Sequence, residues 1–317
     1  MSITGAGTAA GVAEESTWGT AVTPATNWRY VINADAAPDF TRVQSGRISS
    51  GYFANDVEAA EDASASLSLE MTYENLGMWL EHALWSVAAT TGTGPYTHVY
   101  NGSDNSPIGL TLHVVLGDSG NGRQMVGSLV NTWSLAISVG TPFMTLGLEM
   151  IGKQVTQISA ATPTYGAGDE VVSGLDAALM SWNSNSFCLR SITINGSNGL
   201  ERRRCLGEST TAKPQPVSER TIDIEFELDF NANITTDFAA RVEANASIVF
   251  TGSGNNVMTF LMRNMLILSV SDPISGPGVV TQRVTARCRE NPAGTYPFQV
   301  TIVNDNASGS ESQSSTP

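Results

Sequence analysis

Strict alternation constrains this chain more than any other feature. Ala63, Ala65, Leu67, Leu69, Met71 and Tyr73 are apolar, and the residues between them, Ser64, Ser66, Ser68, Glu70, Thr72 and Glu74, are polar. Period two places alternate side chains on opposite faces of a strand, one buried and one wet; a helix has period 3.6 and cannot separate such a pattern. The pattern returns at Ile222, Ile224, Phe226, Leu228 and Phe230, with Asp223, Glu225, Glu227 and Asp229 on the other face. Val130 to Val139, Phe143 to Met150, Ser191 to Asn195 and Gln282 to Cys288 read as further strands. One amphipathic helix is evident: Leu76, Trp79, Leu80, Ala83 and Leu84 follow helical spacing, with Asn75 as the expected cap. A shorter helix is predicted over Thr236 to Ala244, started by Asp237. The fold class expected is therefore mainly β, two tandem sandwich or barrel domains, each with a flanking helix.

The tandem reading rests on internal order. Leu67 to Tyr73 superposes on Ile222 to Leu228 at an offset of 222 − 67 = 155, and the same offset sets Arg47 on Arg202. Each arginine opens a polar loop, and a helix follows in both copies. Beyond it, His98 to Asn105 matches Ile248 to Asn255, and Leu110 to Leu112 matches Met258 to Phe260. A duplication is expected: domain 1 over residues 1–155, a Thr/Gly/Ala-rich linker over 156–174, domain 2 over 175–305, and a Ser-rich disordered tail over 306–317.

The 317 residues carry 30 acidic and 16 basic side chains, a net charge of −14, which disfavours tight binding to nucleic acid or anionic membrane. No stretch reaches the ~20 apolar residues of a membrane span. Met1 to Ala13 lacks the basic and greasy regions of a signal peptide. Cys188, Cys205 and Cys288 are too scattered for a disulfide framework and read as a reducing assembly compartment. Gly5 to Gly11 imitates a phosphate loop without its preceding strand and reads as a flexible N-terminal arm. Gly117-Asp118-Ser119-Gly120 echoes a serine-nucleophile loop, but none of His82, His98 and His113 stands in a protease context, so a hairpin turn is expected. The cluster Asp56, Glu58, Glu61 and Asp62 reads as a solvated acidic loop rather than a calcium site. No catalytic set, metal site or cofactor is expected.

Charge placement is more informative. Asp223, Glu225, Glu227 and Asp229 stand ~6.8 Å apart on one strand face, where like charges repel unless relieved. Arg283, Arg287 and Arg289 can supply cross-strand partners; alternatively the face is an acidic surface past which a polyanion slides. Arg202, Arg203 and Arg204 form the only basic run, and Asp56 to Asp62 the densest acidic one.

Several of these features together resemble the major tail tube proteins of long-tailed bacteriophages. Glu14-Glu15-Ser16-Thr17-Trp18-Gly19-Thr20-Ala21-Val22-Thr23-Pro24 is similar to the E-x-x-x-G-T-x-x-x-P opening of one such group. The strand Leu67 to Met71 followed by the helix Leu76 to Leu84, and Gly127 to Ser138 running into Phe143 to Lys153, are similar to its later elements. The resemblance implies a structural virion protein without enzymatic activity. It would be assembled in the host cytoplasm as stacked homo-oligomeric rings forming a conduit for DNA ejection. Implied partners are further copies, other tail proteins at the tube ends, and passing double-stranded DNA that is not held tightly; no membrane is involved. If each duplicated lobe supplies one sixth of the ring, three chains close it with pseudo-sixfold symmetry; six chains are the competing stoichiometry. Expected channel-facing residues are Glu70, Asp223, Glu225, Glu227 and Asp229. Expected contacts between subunits or rings are Asp56, Glu58, Glu61, Asp62, Arg202, Arg203 and Arg204. The rival reading is a carbohydrate-binding β-sandwich module that exposes Trp18, Trp28, Trp182 or Tyr165.

Overall fold

A computed structural model of the chain describes residues 7–23, 27–44, 56–86, 89–102, 107–117, 120–165, 170–273, 279–290 and 296–306. The first half runs β1 (Ala9–Glu14), β2 (Trp28–Gln44), β3 (Asp56–Glu70), α1 (Gly77–Leu84), β4 (Ala89–Thr91), β5 (Tyr96–Asn101), β6 (Leu110–Val115), β7 (Asn121–Ser138), β8 (Thr141–Gly152) and β9 (Gln154–Ser159). The second runs β10 (Met180–Trp182), β11 (Asn185–Phe187), β12 (Leu189–Ser197), β13 (Leu200–Arg203), β14 (Ala212–Pro216), β15 (Thr221–Asp229), α2 (Ala232–Ala239), β16 (Glu243–Thr251), β17 (Val257–Ser271), β18 (Thr281–Arg287) and β19 (Phe298–Asn304). The protein is mainly β, as the alternation requires.

Six strands of the first half close on themselves. β2 pairs β3, β3 pairs β8, β8 pairs β7, β7 pairs β6, β6 pairs β1, and β1 returns to β2. Closure satisfies backbone groups that an open sheet would leave at its edges. Pairing in the second half follows the same order: β12 to β15, β15 to β18, β18 to β17, β17 to β16, β16 to β10, and β10 to β11. Only Cys188 separates β11 from β12, and the two together take the place of the unbroken β2.

Two strand seams join the halves. Thr132 to Ser138 of β7 pairs with Ser197 to Ser191 of β12, and β5 pairs with β19. At the first seam the indole of Trp133 lies against Gly196, where a Cβ would come within 2.0 Å of the ring; the close approach requires glycine. One buried cluster continues through both halves, holding Leu67, Leu69, Leu146, Trp133 and Leu135 beside Ile192, Ile194, Ile224, Phe226 and Phe260.

Several local expectations are corrected. Asn75 does not cap α1: it sits at φ 56°, Leu76 is the N-cap, and no side chain caps the helix. α1 forms because it is apolar almost all round, and only Glu81 escapes full burial. The second helix lies earlier than predicted, capped by Asn231, whose side chain accepts from the Asn233 N–H at 2.9 Å; Glu243 already opens a strand. Residues 9–14 are no flexible arm but a buried strand between β2 and β6. The two polar loops are largely hairpin arms, β2–β3 and β13–β14; Arg47 lies outside the described residues. Phe230 falls past the end of β15 and is 52% exposed. The matches beyond the helices do not pair alike, since β5 stands outside the first barrel whereas β16 belongs to the second. Asn304 ends β19 and is buried; of the expected tail, residues 307–317 lie outside the described set.

α1 also carries His82, fully buried, with burial lowering its imidazole to about 4. A histidine held neutral in the fold but free to protonate when unfolded stabilises fully above about pH 6.5, and that contribution is lost as pH falls from 6.5 toward 4. His82→Leu is therefore expected to flatten the acid limb of thermal stability in that window, by up to about 3 kcal/mol relative to the parent protein. Identical acid limbs for the two proteins would contradict it.

Candidate functional site

The strand pairings align one wet face across both halves. In one row Asn33, Ser68, Gly147, Ser134, Asn195, Asp223 and Arg287 stand side by side on β2, β3, β8, β7, β12, β15 and β18. In the next row Glu70, Thr145, Ala136, Thr193, Glu225, Thr285 and Ser269 extend from β3 to β17. The other face of these strands carries Leu67, Leu69, Leu148, Trp133, Ile194, Ile224, Phe226 and Ala286, all buried. Glu70 and Glu225 thus share a row, and the seam does not interrupt the face.

Arginines relieve part of the carboxylate row. Asp223 receives both Nε and Nη2 of Arg287, at 2.6 and 3.0 Å, and the acceptance raises the guanidinium's pKa. Glu227 lies 3.4 Å from Arg283, its register partner. Asp229 pairs with Arg190 at 2.7 Å, a partner the sequence reading missed. Arg289 was expected to serve the same row but pairs with Glu243 of β16 at 2.8 Å, because β18 ends at Arg287. Glu225 and Glu70 have no ion pair among the described residues. Glu149, another missed member, is exposed on β8 and accepts from Ser66 Oγ at 2.7 Å; its alternation with Leu148 and Met150 was the available signal. Six carboxylates (Glu70, Glu149, Asp223, Glu225, Glu227, Asp229) against three arginines (Arg190, Arg283, Arg287) leave 6 − 3 = 3 excess negative charges on the face. Each exposed pair contributes only ~0–1 kcal/mol, so these charges matter chiefly for the field they set up.

The acidic and basic runs meet within the chain. Asp62 lies 3.2 Å from Arg202 Nε and also receives Arg204 Nη2. Arg202 Nη2 donates to the Ala63 carbonyl at 3.0 Å, and the Glu61 N–H donates to the Ser209 carbonyl at 2.8 Å. Arg203 instead donates to Gln215 within its own arm. The side chains of Asp56 and Glu58 lie outside the described residues. At the base of the second arm Asn198 Nδ2 donates to the Ala83 carbonyl, and Arg220 Nη2 to that of Leu84. The Arg220 guanidinium stands 5.0 Å over the Trp85 ring, and Leu200 packs with Trp85 and Leu129. The second arm is thereby fastened over the C-terminal end of α1.

The opening motif is a structural knot. The buried Glu15 carboxylate accepts from the Gly19 N–H at 2.6 Å, the Gly127 N–H at 2.8 Å and Thr111 Oγ1 at 2.9 Å. Trp18 sits against Gly109 and Gly127, with Lys153 Nζ 5.5 Å above its ring. Glu15→Ala is expected to cost about 3 kcal/mol or more, because several donors to a charged acceptor lose it together. A thermal melt would measure the loss; an unchanged melting temperature would show that the loop is held otherwise.

The rival chemistries find little support. Trp28 and Trp182 are buried, and Tyr165 stacks on Tyr30 at 4.2 Å rather than joining an aromatic platform. His98 is enclosed by Thr90 and Asn304, and His113 bonds Gln124. Asp118 and Ser119 lie outside the described residues. Among the described residues no His/Cys/Asp/Glu group is placed to hold a metal, and no helix is long and apolar enough to cross a membrane. Cys188 and Cys205 are exposed free thiols, and burial pushes the Cys288 thiol up to about 12. No curated protein matches the sequence in a direct comparison. The family model described as phage tail tube protein matches residues 5–288. That match spans every strand from β1 to β18, and the chain belongs to the phage tail tube protein family, a structural component of the virion tail.

Proposed function

We propose that the chain assembles in the host cytoplasm as stacked rings forming the tube through which DNA is ejected, with three copies closing each ring. The observation that carries this reading is the β7–β12 seam. The two barrels are one duplicated lobe, and they meet as neighbouring subunits of a ring would, strand edge to strand edge, so a chain already contains one lobe-to-lobe junction of the closed assembly. Two lobes per chain make three chains equivalent to six lobes. The wet face bearing Glu70, Asp223, Glu225, Glu227 and Asp229 lines the channel, where its excess negative charge keeps phosphate from sticking. The tips of the two arms, with Asp56 and Glu58 on the first, reach toward the neighbouring ring, and other tail proteins cap the tube ends.

Cryo-microscopy of assembled tubes is expected to show three chains per ring with pseudo-sixfold symmetry. Six whole chains per ring would overturn the stoichiometry. Carboxylates 223 to 229 on the outer surface would overturn the channel assignment while leaving the tube role intact.

A further inference from the structure

Residues 170–179 form a strap across the end of both halves, beside the hairpin where β7 turns into β8. On the first half the Val172 N–H donates to the Met71 carbonyl at 2.8 Å, and the Met144 N–H to the Val172 carbonyl at 2.9 Å. On the second half the Glu170 carboxylate accepts from the Ser253 N–H at 2.7 Å, and the Ala178 N–H donates to the Val249 carbonyl at 2.7 Å. Between these ties stands a single 3-10 turn, Gly174–Asp176. The turn presents Leu175, 93% exposed, beside an apolar cavity of about 150 Å³. Ile137 and Pro142 of the first half and Leu189, Ile192, Ile248 and Phe250 of the second line that cavity, so it lies between the halves, next to the β7–β12 seam. A Cβ on Gly174 would stand 3.6 Å from Ile137 Cδ1, which puts the turn on the cavity rim. A cavity of this size and lining takes an apolar group as large as a benzene ring, and a leucine side chain is no larger.

Polar contacts hold Leu175 out. Ser173 Oγ accepts from the Leu175 N–H at 3.1 Å, and Asp176 Oδ2 accepts from the Ser173 N–H at 3.0 Å. The same Asp176 oxygen accepts from the Tyr73 hydroxyl at 3.1 Å, and Tyr73 is wholly buried. Burial and the Asp176 and Glu170 carboxylates push that phenol's pKa up, so it stays a donor. Turning Leu175 inward rotates the adjoining peptide and takes the Asp176 carboxylate away from Tyr73. The gain from burying a leucine and the cost of leaving a buried hydroxyl without its acceptor are of similar size, so neither placement wins by a wide margin.

We propose that residues 173–177 form a two-position strap, latched open by the Tyr73–Asp176 bond and closed by Leu175 entering the cavity between the halves. Open, the strap shows an apolar side chain at this end of the chain. Closed, it withdraws that side chain and wedges the first half against the second at the end of the seam. A contact that favours either placement therefore also sets how firmly the two halves are joined. The device belongs to a single chain and holds for any ring stoichiometry.

Two comparisons test it. In the parent, Leu175→Ala removes an exposed side chain and is expected to change the unfolding equilibrium by less than about 2-fold. Tyr73→Phe keeps the buried ring and removes the latch, so in that background Leu175 lies in the cavity. There Leu175→Ala is expected to shift the unfolding equilibrium by about 10-fold or more, read from denaturant midpoints. Equal effects in the two backgrounds would overturn the latch. The second comparison reads position directly. Leu175→Cys, with Cys188→Ser and Cys205→Ser, leaves only the buried Cys288 beside the new thiol. Its alkylation by iodoacetamide is expected to slow about 3-fold or more when Tyr73→Phe is added. An unchanged rate would overturn closure. Should Tyr73→Phe fail to fold, Asp176→Ala releases the same bond from the strap side and is expected to give the same slowing, with an unchanged rate again overturning it.

Discussion

Ile224→Pro is expected to leave no folded chain to assemble. β15 is a central strand, paired to β12 and β18, and Ile224 faces Ile194 on one side and Ala286 on the other. Its side chain is fully buried in the core shared by both halves. Proline removes a ladder donor and clashes with the neighbouring backbone, costing about 3 kcal/mol or more. Losing the packed isoleucine adds about 2–5 kcal/mol. The sum approaches the whole stability of an ordinary domain, about 5–15 kcal/mol. Because the seam strand β12 rests on β15, the damage would spread to the junction between halves. Leu69→Pro, in β3 between β2 and β8, is expected to behave alike, whereas proline at Ser308 in the Ser-rich tail is the neutral control. Circular dichroism and size-exclusion chromatography measure the outcome. Rings of normal size from Ile224→Pro would show that β15 is not a central strand.

Where the sequence was readable, one rule did the reading. Alternation at Leu67 to Tyr73 and Ile222 to Leu228 separates a buried from a wet side chain at every step, so β3 and β15, and which of their faces is wet, follow directly. Strand pairing is a different matter. Short alternating strands ending in Asn, Gly or Ser look alike, and for that reason the β5 segment matched that of β16 although the two pair differently. A long hairpin of small and charged residues also looks like a loop, since neither face needs to be apolar when the arm leaves the core. The arms were therefore located but not recognised as strands. Asn75 shows a local limit of the same kind: Asn suits both a helix cap and a left-handed turn, and the next residues do not distinguish them. The carboxylate face was legible because its charges recur at period two. Arg190 was not, because it reaches Asp229 beside the register shift between Leu189 and Ser191, which no periodicity announces.

Reversing the charge of two of those carboxylates is expected to slow DNA release without unmaking the tube. Glu225 is exposed and unpaired among the described residues, and Glu227 shares only a weak contact with Arg283. Lysine at both positions therefore costs the fold little; setting a lysine opposite Arg283 in place of Glu227 is unfavourable by less than about 1 kcal/mol. The field changes far more. Four carboxylates against five cations turn the face from −3 to +1 per chain, counting the same residues as before. In the proposed ring that change multiplies, and the face would attract phosphate where it now repels it. Release from particles carrying Glu225→Lys and Glu227→Lys is expected to slow on the order of 10-fold at low salt. Because each lysine–phosphate contact displaces counterions, the delay is expected to shrink steeply as salt rises. Glutamine at the same positions lowers the repulsion, from −3 to −1, without adding attraction and should fall between the two. Time-resolved release from intact particles at two salt concentrations makes the measurement. Equal rates for all three proteins would place this face away from the path of the DNA.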